Sequence, residues 1–170
     1  AALSAGHACE PGAAAMRRRS GELAGPRRVM AVASAGGHWT QLMRLTPALE
    51  ACDLVFVSTR TQSPLPEGAQ FHVVPDANRN DWIGMIRLLL AMAWIEVVER
   101  PDVVISTGAA PGYVALRLAR LLGARTVWLD SLANVDELSM SGRLAGAHAD
   151  LWLTQWPHLA RPEGPRFVGS

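Results

Sequence analysis

Between residues 28 and 168 the chain alternates short apolar runs with longer stretches of helical periodicity, and no other feature limits its fold so sharply. Val29–Ala33, Leu54–Ser58, Phe71–Val74, Asp102–Ser106, Arg125–Leu129 and Leu151–Thr154 read as strands. Arg166–Val168 reads as the beginning of a last one. Between them, His38–Ala51 reads as a helix with Leu42, Leu45 and Leu49 on one face, although Pro47 conflicts with its full length because proline lacks an N–H and crowds the preceding turn. Trp82–Val98 is a long apolar helix with Asn80-Asp81 as its N-cap and Pro101 preventing it from running on. Pro111–Leu122 is a helix ended by Gly123, and Ser139–His148 a short one. Strands separated by helices over short connections predict an α/β fold: a Rossmann-like parallel sheet with helices on both faces. Asp102–Ser106, apolar almost throughout, fits a strand buried on both sides.

Such a sheet places its ligands at the carboxyl ends of the strands. Three unusual segments fall there: Ser34–His38, Thr107–Gly112 and Asp130–Gly142. In the first, Ser34 precedes Gly36 and Gly37, whose bare backbone admits a close-approaching ligand or a tight turn. The helix start that follows suits a phosphate or diphosphate. The spacing GxGxxG is absent, as is the lysine of a P-loop. His38, at the mouth of this loop, is either a general base for a hydroxyl or a capping residue. The second segment brings Thr107, Gly108 and Gly112 to the same edge, where two glycine loops can face one groove. In the third, Asp130, Ser131 and Asn134 either bind sugar hydroxyls or cap the short helix, with Ser139 and Ser141 beside them; Gln155 ends the next strand. The helix Trp82–Val98 is either buried under the sheet or rests one face on a membrane, with Trp82 and Trp94 as interfacial anchors.

The 170 residues fit one domain, and about half are apolar, as in a globular chain. A net charge of +1 gives no argument for nucleic acid. Cys9 and Cys52 form no motif, so no disulfide and no structural metal are expected, and the expected setting is reducing and cytoplasmic. Residues 1–27 are rich in Ala, Gly and Pro; no apolar core follows Arg17-Arg18-Arg19, so they read as a flexible tail rather than a secretory signal. The domain is expected over residues 28–170.

Taken in order, "SAGGH", "RPDVVISTGAAPG", "VWLDSLANVDELSMSGRL" and "ADLWLTQWPHL" resemble the acceptor-side subunits of two-subunit glycosyltransferases. These include the membrane-anchoring subunit of the eukaryotic dolichol-diphosphate GlcNAc transferase and its bacterial exopolysaccharide-biosynthesis counterparts. The resemblance covers roughly residues 28–170. It implies the N-terminal half of a GT-B glycosyltransferase. A lipid-linked diphosphate acceptor would lie against Ser34, Gly36, Gly37, Thr107, Gly108 and Gly112, with Asp130, Ser131, Asn134 and Gln155 touching sugar and His38 as base. No tightly bound cofactor is implied. The donor, a UDP-sugar, would sit mostly on a partner chain, the chain breaking off at "FVGS" about where a second domain would follow. Members of this family often carry Glu-Ser followed by Arg where this chain has Asp130-Ser131 and Asn134. Their eukaryotic members also have an N-terminal membrane helix; here membrane contact at the inner face of the cell membrane is expected from Trp82–Val98 or from the partner. Two other readings follow from the same residues: a non-catalytic scaffold that recruits a transferase to the membrane, and an enzyme like the nucleotide-sugar epimerases, which needs a complete second domain.

Overall fold

The computed structural model describes residues 25–78 and 80–169. The expected tail lies outside the described residues up to position 24. Seven parallel strands form one sheet in the order β3-β2-β1-β4-β5-β6-β7. They are β1 (Arg28–Ala33), β2 (Asp53–Ser58), β3 (Gln70–Val73), β4 (Val103–Gly108), β5 (Arg125–Leu129), β6 (Leu151–Thr154) and β7 (Arg166–Phe167). Strand order runs outward in both directions from β1 and β4, so the topological switch point lies between these two.

The central strands alternate their side chains between two buried layers, which is why they read as unbroken apolar runs. Met30, Val32, Val55, Val57 and Val104 face α2 (Trp82–Glu99) and α3 (Ala109–Leu122). Val29, Ala31, Leu54 and Phe56 face α1 (Gly37–Met43), where Trp39 meets Phe56 and Phe71 edge-on. The fully buried Trp128 of β5 fills the first layer.

The first helix is shorter than its leucine spacing predicts. α1 ends at Met43, and Thr46–Leu49 continues as a 3-10 turn. Pro47 sits early in that turn, where its missing N–H costs nothing. Leu42, Leu45 and Leu49 nevertheless all pack on the same layer, so the apolar stripe is real although the helix breaks beneath it.

The other helix ends follow local chemistry. Asp81 accepts a hydrogen bond from the Gly84 amide at 2.8 Å and starts α2. Arg100, in the left-handed region at φ 48°, ends it ahead of Pro101. Gly123, at φ 84°, ends α3. Ser139 accepts from the Gly142 amide at 2.8 Å and starts α4 (Met140–Ala145), which stops short of the expected His148.

Candidate functional site: a cleft at the switch point

The first two glycine segments lie side by side, because β1 and β4 are neighbours and Ala33 pairs with Gly108 across a register shift. Between the strand ends lies a cleft of about 360 Å³, lined by Ser34, Ala35, Gly36, Thr59, Arg60, Asp76, Ala77, Ala109, Ala110 and Pro111. Gly36 takes φ 89°, a conformation that needs glycine, and nothing stands within 4 Å of where a side chain would begin. The Thr59 hydroxyl accepts from the Ala35 amide at 3.2 Å and holds this loop against the end of β2.

The second segment is not a loop. β4 passes directly into α3 through Gly108 at φ 144° and Ala109 at φ 65°, two left-handed residues in succession. Holding an alanine there costs on the order of 1 kcal/mol. The turn brings the first α3 residues, Ala109 and Ala110, into the cleft lining, and the amides of a helix's first turn have no acceptor inside the helix. α3 has 14 residues against seven in α1, so the positive end of its dipole is the stronger of the two at this edge.

His38 stands just outside the cleft lining and turns toward β4. Its Nδ1 lies 3.0 Å from the Thr107 carbonyl oxygen, and the Thr107 hydroxyl donates to the His38 carbonyl at 2.7 Å. A carbonyl only accepts, so Nδ1 carries a proton, and in the neutral imidazole the lone pair is then on Nε2. The ring lies over Gly108, where any side chain would collide with it.

These contacts place three of the residues expected around an acceptor phosphate. Thr107 is fully buried and its hydroxyl and carbonyl oxygens both engage His38, so it orients the imidazole. Gly108 is buried beneath the same ring. Gly112 lies inside α3 against Ser106 and Trp128; its missing side chain permits helix–sheet packing. Ser34 and Gly36 line the cleft, and Gly37 is exposed beside it.

The third segment forms a separate cluster. Asp130, 1% exposed, accepts from the Ser139 hydroxyl at 2.6 Å, the Ser139 amide at 3.0 Å, and Asn134 Nδ2 and Trp128 Nε1 at 3.2 Å each. With its carboxylate thus engaged, Asp130 shapes the β5–α4 loop and holds the Asn134 amide. Gln41 of α1 donates to Ser131 Oγ at 3.0 Å, while Gln155 donates to the Asp130 carbonyl at 2.8 Å and lies 3.4 Å from Gln41 Oε1. Gln41 thereby ties the glycine–histidine turn to the ends of β5 and β6. Trp156 donates to the Leu132 carbonyl at 3.1 Å and is a packing residue.

Sequence reading missed Arg60 and Asp76, the charged residues of the cleft. Both follow strands by two or three positions in loops without a motif, and only the adjacency of β2 and β3 to β1 brings them together. Among the described residues no group of His, Cys, Asp and Glu side chains is arranged to hold a metal ion.

α2 presents two faces. Leu88, Met92 and Ile95 are buried against the sheet, whereas Trp82 is 68% and Trp94 71% exposed, along with Ile83, Ile86, Leu90, Val97 and Val98. Among the described residues no helix is long and apolar enough to cross a membrane.

Known proteins share this architecture. The solved structure of MurG from Acinetobacter baumannii superposes with a TM-score of 0.64 at 16% identity, over 85% of this chain and 46% of that one. The UDP-N-acetylglucosamine 2-epimerase of Rickettsia bellii gives 0.60 at 12% identity, over 78% and 40%. The chain thus spans less than half of either, and at these identities the likeness is one of fold: the expected Rossmann-like, GT-B-type architecture. In sequence, the UDP-N-acetylglucosamine transferase subunit ALG14 of Eremothecium gossypii is 29% identical over 187 residues, covering 90% of this chain and 84% of that protein. The Homo sapiens protein of the same name is 25% identical, covering 77% and 76%. The family described as "Oligosaccharide biosynthesis protein Alg14 like" matches residues 76–169, more than half of the sequence, and the chain belongs to that family.

Proposed function

We propose that this chain is the acceptor-side subunit of a glycosyltransferase that moves a sugar, N-acetylglucosamine or another hexose derivative, from a UDP-sugar to a lipid-diphosphate-linked acceptor. The observation that carries this reading is the joint placement of the Gly36 turn and the α3 amides around one cleft, with His38 Nε2 unencumbered beside it. The acceptor phosphate enters the cleft. His38 takes the proton of the attacking hydroxyl as the new C–O bond forms at the donor's anomeric carbon and the bond to UDP breaks. Stabilising the departing diphosphate needs positive groups on its own side. Those belong to a donor-binding companion chain, as the relatives' description as transferase subunits supports. The apolar outward face of α2 supports contact with a membrane surface, where a lipid-linked acceptor resides.

The test is transfer from UDP-N-acetylglucosamine to a lipid-diphosphate-linked N-acetylglucosamine, assayed with the chain alone and with its co-purified companion. Turnover is expected only with both. The chain alone working at the rate of the complex would refute the division of labour. In the complex, His38→Ala is expected to cut the rate by about 10²–10⁴ without weakening assembly. Full activity of that variant would make the chain a scaffold instead.

A further inference from the structure

The cleft carries two charges of opposite sign that do not neutralise each other. Of its ten lining residues, Arg60 and Asp76 are the charged ones. Both are exposed, and among the described residues neither takes part in an ion pair. They enter from neighbouring loops, Arg60 two residues beyond β2 and Asp76 three beyond β3, and face the small residues Ala109 and Ala110 on the far wall.

We infer that Arg60 and Asp76 together make the cleft a site for phosphorylated sugars, the guanidinium taking a phosphate and the carboxylate accepting from a ring hydroxyl of the same molecule. The inference rests on the acceptor reading above and sharpens it. A guanidinium offers a planar fork of donors that matches phosphate oxygens, and the amides at the start of α3 add donors to the same anion. An ionised carboxylate only accepts, so Asp76 repels a bare anion and rewards a ligand that also brings O–H groups. About 360 Å³ is within the usual range of small-molecule pockets, and four alanines and a glycine in its lining leave room for a pyranose ring. A simple anion satisfies one of the two charges, a neutral sugar the other, and a sugar phosphate both.

The test uses the full chain, ¹⁵N-labelled, titrated by NMR with glucose 1-phosphate, with inorganic phosphate and with glucose. Glucose 1-phosphate is expected to bind tightest and to shift the amides of Gly36, Ala109 and Ala110. Arg60→Ala should weaken both phosphate probes by about tenfold or more, and Arg60→Lys by less, since lysine restores the charge but not the fork. Asp76→Asn should weaken glucose 1-phosphate while leaving inorganic phosphate as tight as before or tighter. Shifts that map away from the cleft, no binding of glucose 1-phosphate, or an Arg60→Ala variant that binds like the parent would overturn the site. Equal weakening of both phosphates by Asp76→Asn would remove the carboxylate from it. None of these probes needs a companion chain or a transfer step. Their failure therefore leaves the transferase reading standing, and absence of transfer in the complex leaves the binding result standing.

Discussion

Glu96 is 1% exposed on α2, and neither of its carboxyl oxygens has a hydrogen-bond partner among the described residues. Burial penalises the charged form and raises its pKa from 4.5 to about 8. A folded-state value above the unfolded one means that the native chain holds the extra proton. Stability is then greatest below pH 4.5 for this group and falls as pH rises through 8. Thermal melts of the parent should shift downward between pH 5 and 8, and Glu96→Met should flatten that slope. The variant should also gain about 1–3 kcal/mol near pH 8 by removing an unsatisfied buried group. Sequence periodicity separates Glu96 from Arg87, and the structure agrees: Arg87 is exposed and Glu96 buried. Periodicity is silent, however, on Arg60 and Asp76, whose meeting is a property of strand order. It is equally silent on the Thr107–His38 clasp, which joins residues 69 positions apart.

Among the elements, α3 shows how a glycine can mislead. In "STGAAPG" both glycines resemble loop residues, yet Gly112 is the contact that seats the helix on β4. Gly112→Ala would drive a methyl group into the Ser106 side chain beneath the helix, and should cost about 1–3 kcal/mol by chemical denaturation. Gly36→Ala, where the surrounding space is open, should cost only about 1 kcal/mol, from backbone strain alone. α2 is the opposite case. Its sequence is apolar nearly all round and leaves both burial and membrane contact open; the structure buries one face and exposes the other. Co-sedimentation with anionic vesicles should fall several-fold for the Trp82→Ala/Trp94→Ala pair, since each indole anchors roughly a kcal/mol or more at an interface. Binding that survives the double change would dissociate α2 from the membrane.

At the scale of the whole molecule, the fold was legible because every strand is a compact apolar run and every helix but the first has a start or stop signal of its own. All seven strands fall within two residues of where the sequence places them. The site was half legible: its edge and its first turn follow from glycine placement, while its charges and its histidine geometry depend on which strands adjoin. Stability is distributed unevenly as well. Glu99, nearly buried at the end of α2, receives Arg28 of β1 at 3.0 Å and His72 of β3 at 2.7 Å, and Arg28 reaches Asp53 of β2 at 2.7 Å. Glu99→Gln should therefore cost about 1 kcal/mol in global unfolding, since Arg28 keeps its pair with Asp53 and its bond to the Glu99 carbonyl and loses one charged partner only.

Three of the five ion pairs among the described residues thus join strand beginnings, or the helix ends near them: Arg28 to Asp53, Arg28 to Glu99, and Arg120 to Asp150 ahead of β6. The sheet is riveted by charge along one selvage, whereas the turns around the cleft on the other are tied by neutral hydrogen bonds such as Thr59 to Ala35 and His38 to Thr107. No ion pair among the described residues stands between the cleft and solvent, while the charged border keeps the strands in register beneath it.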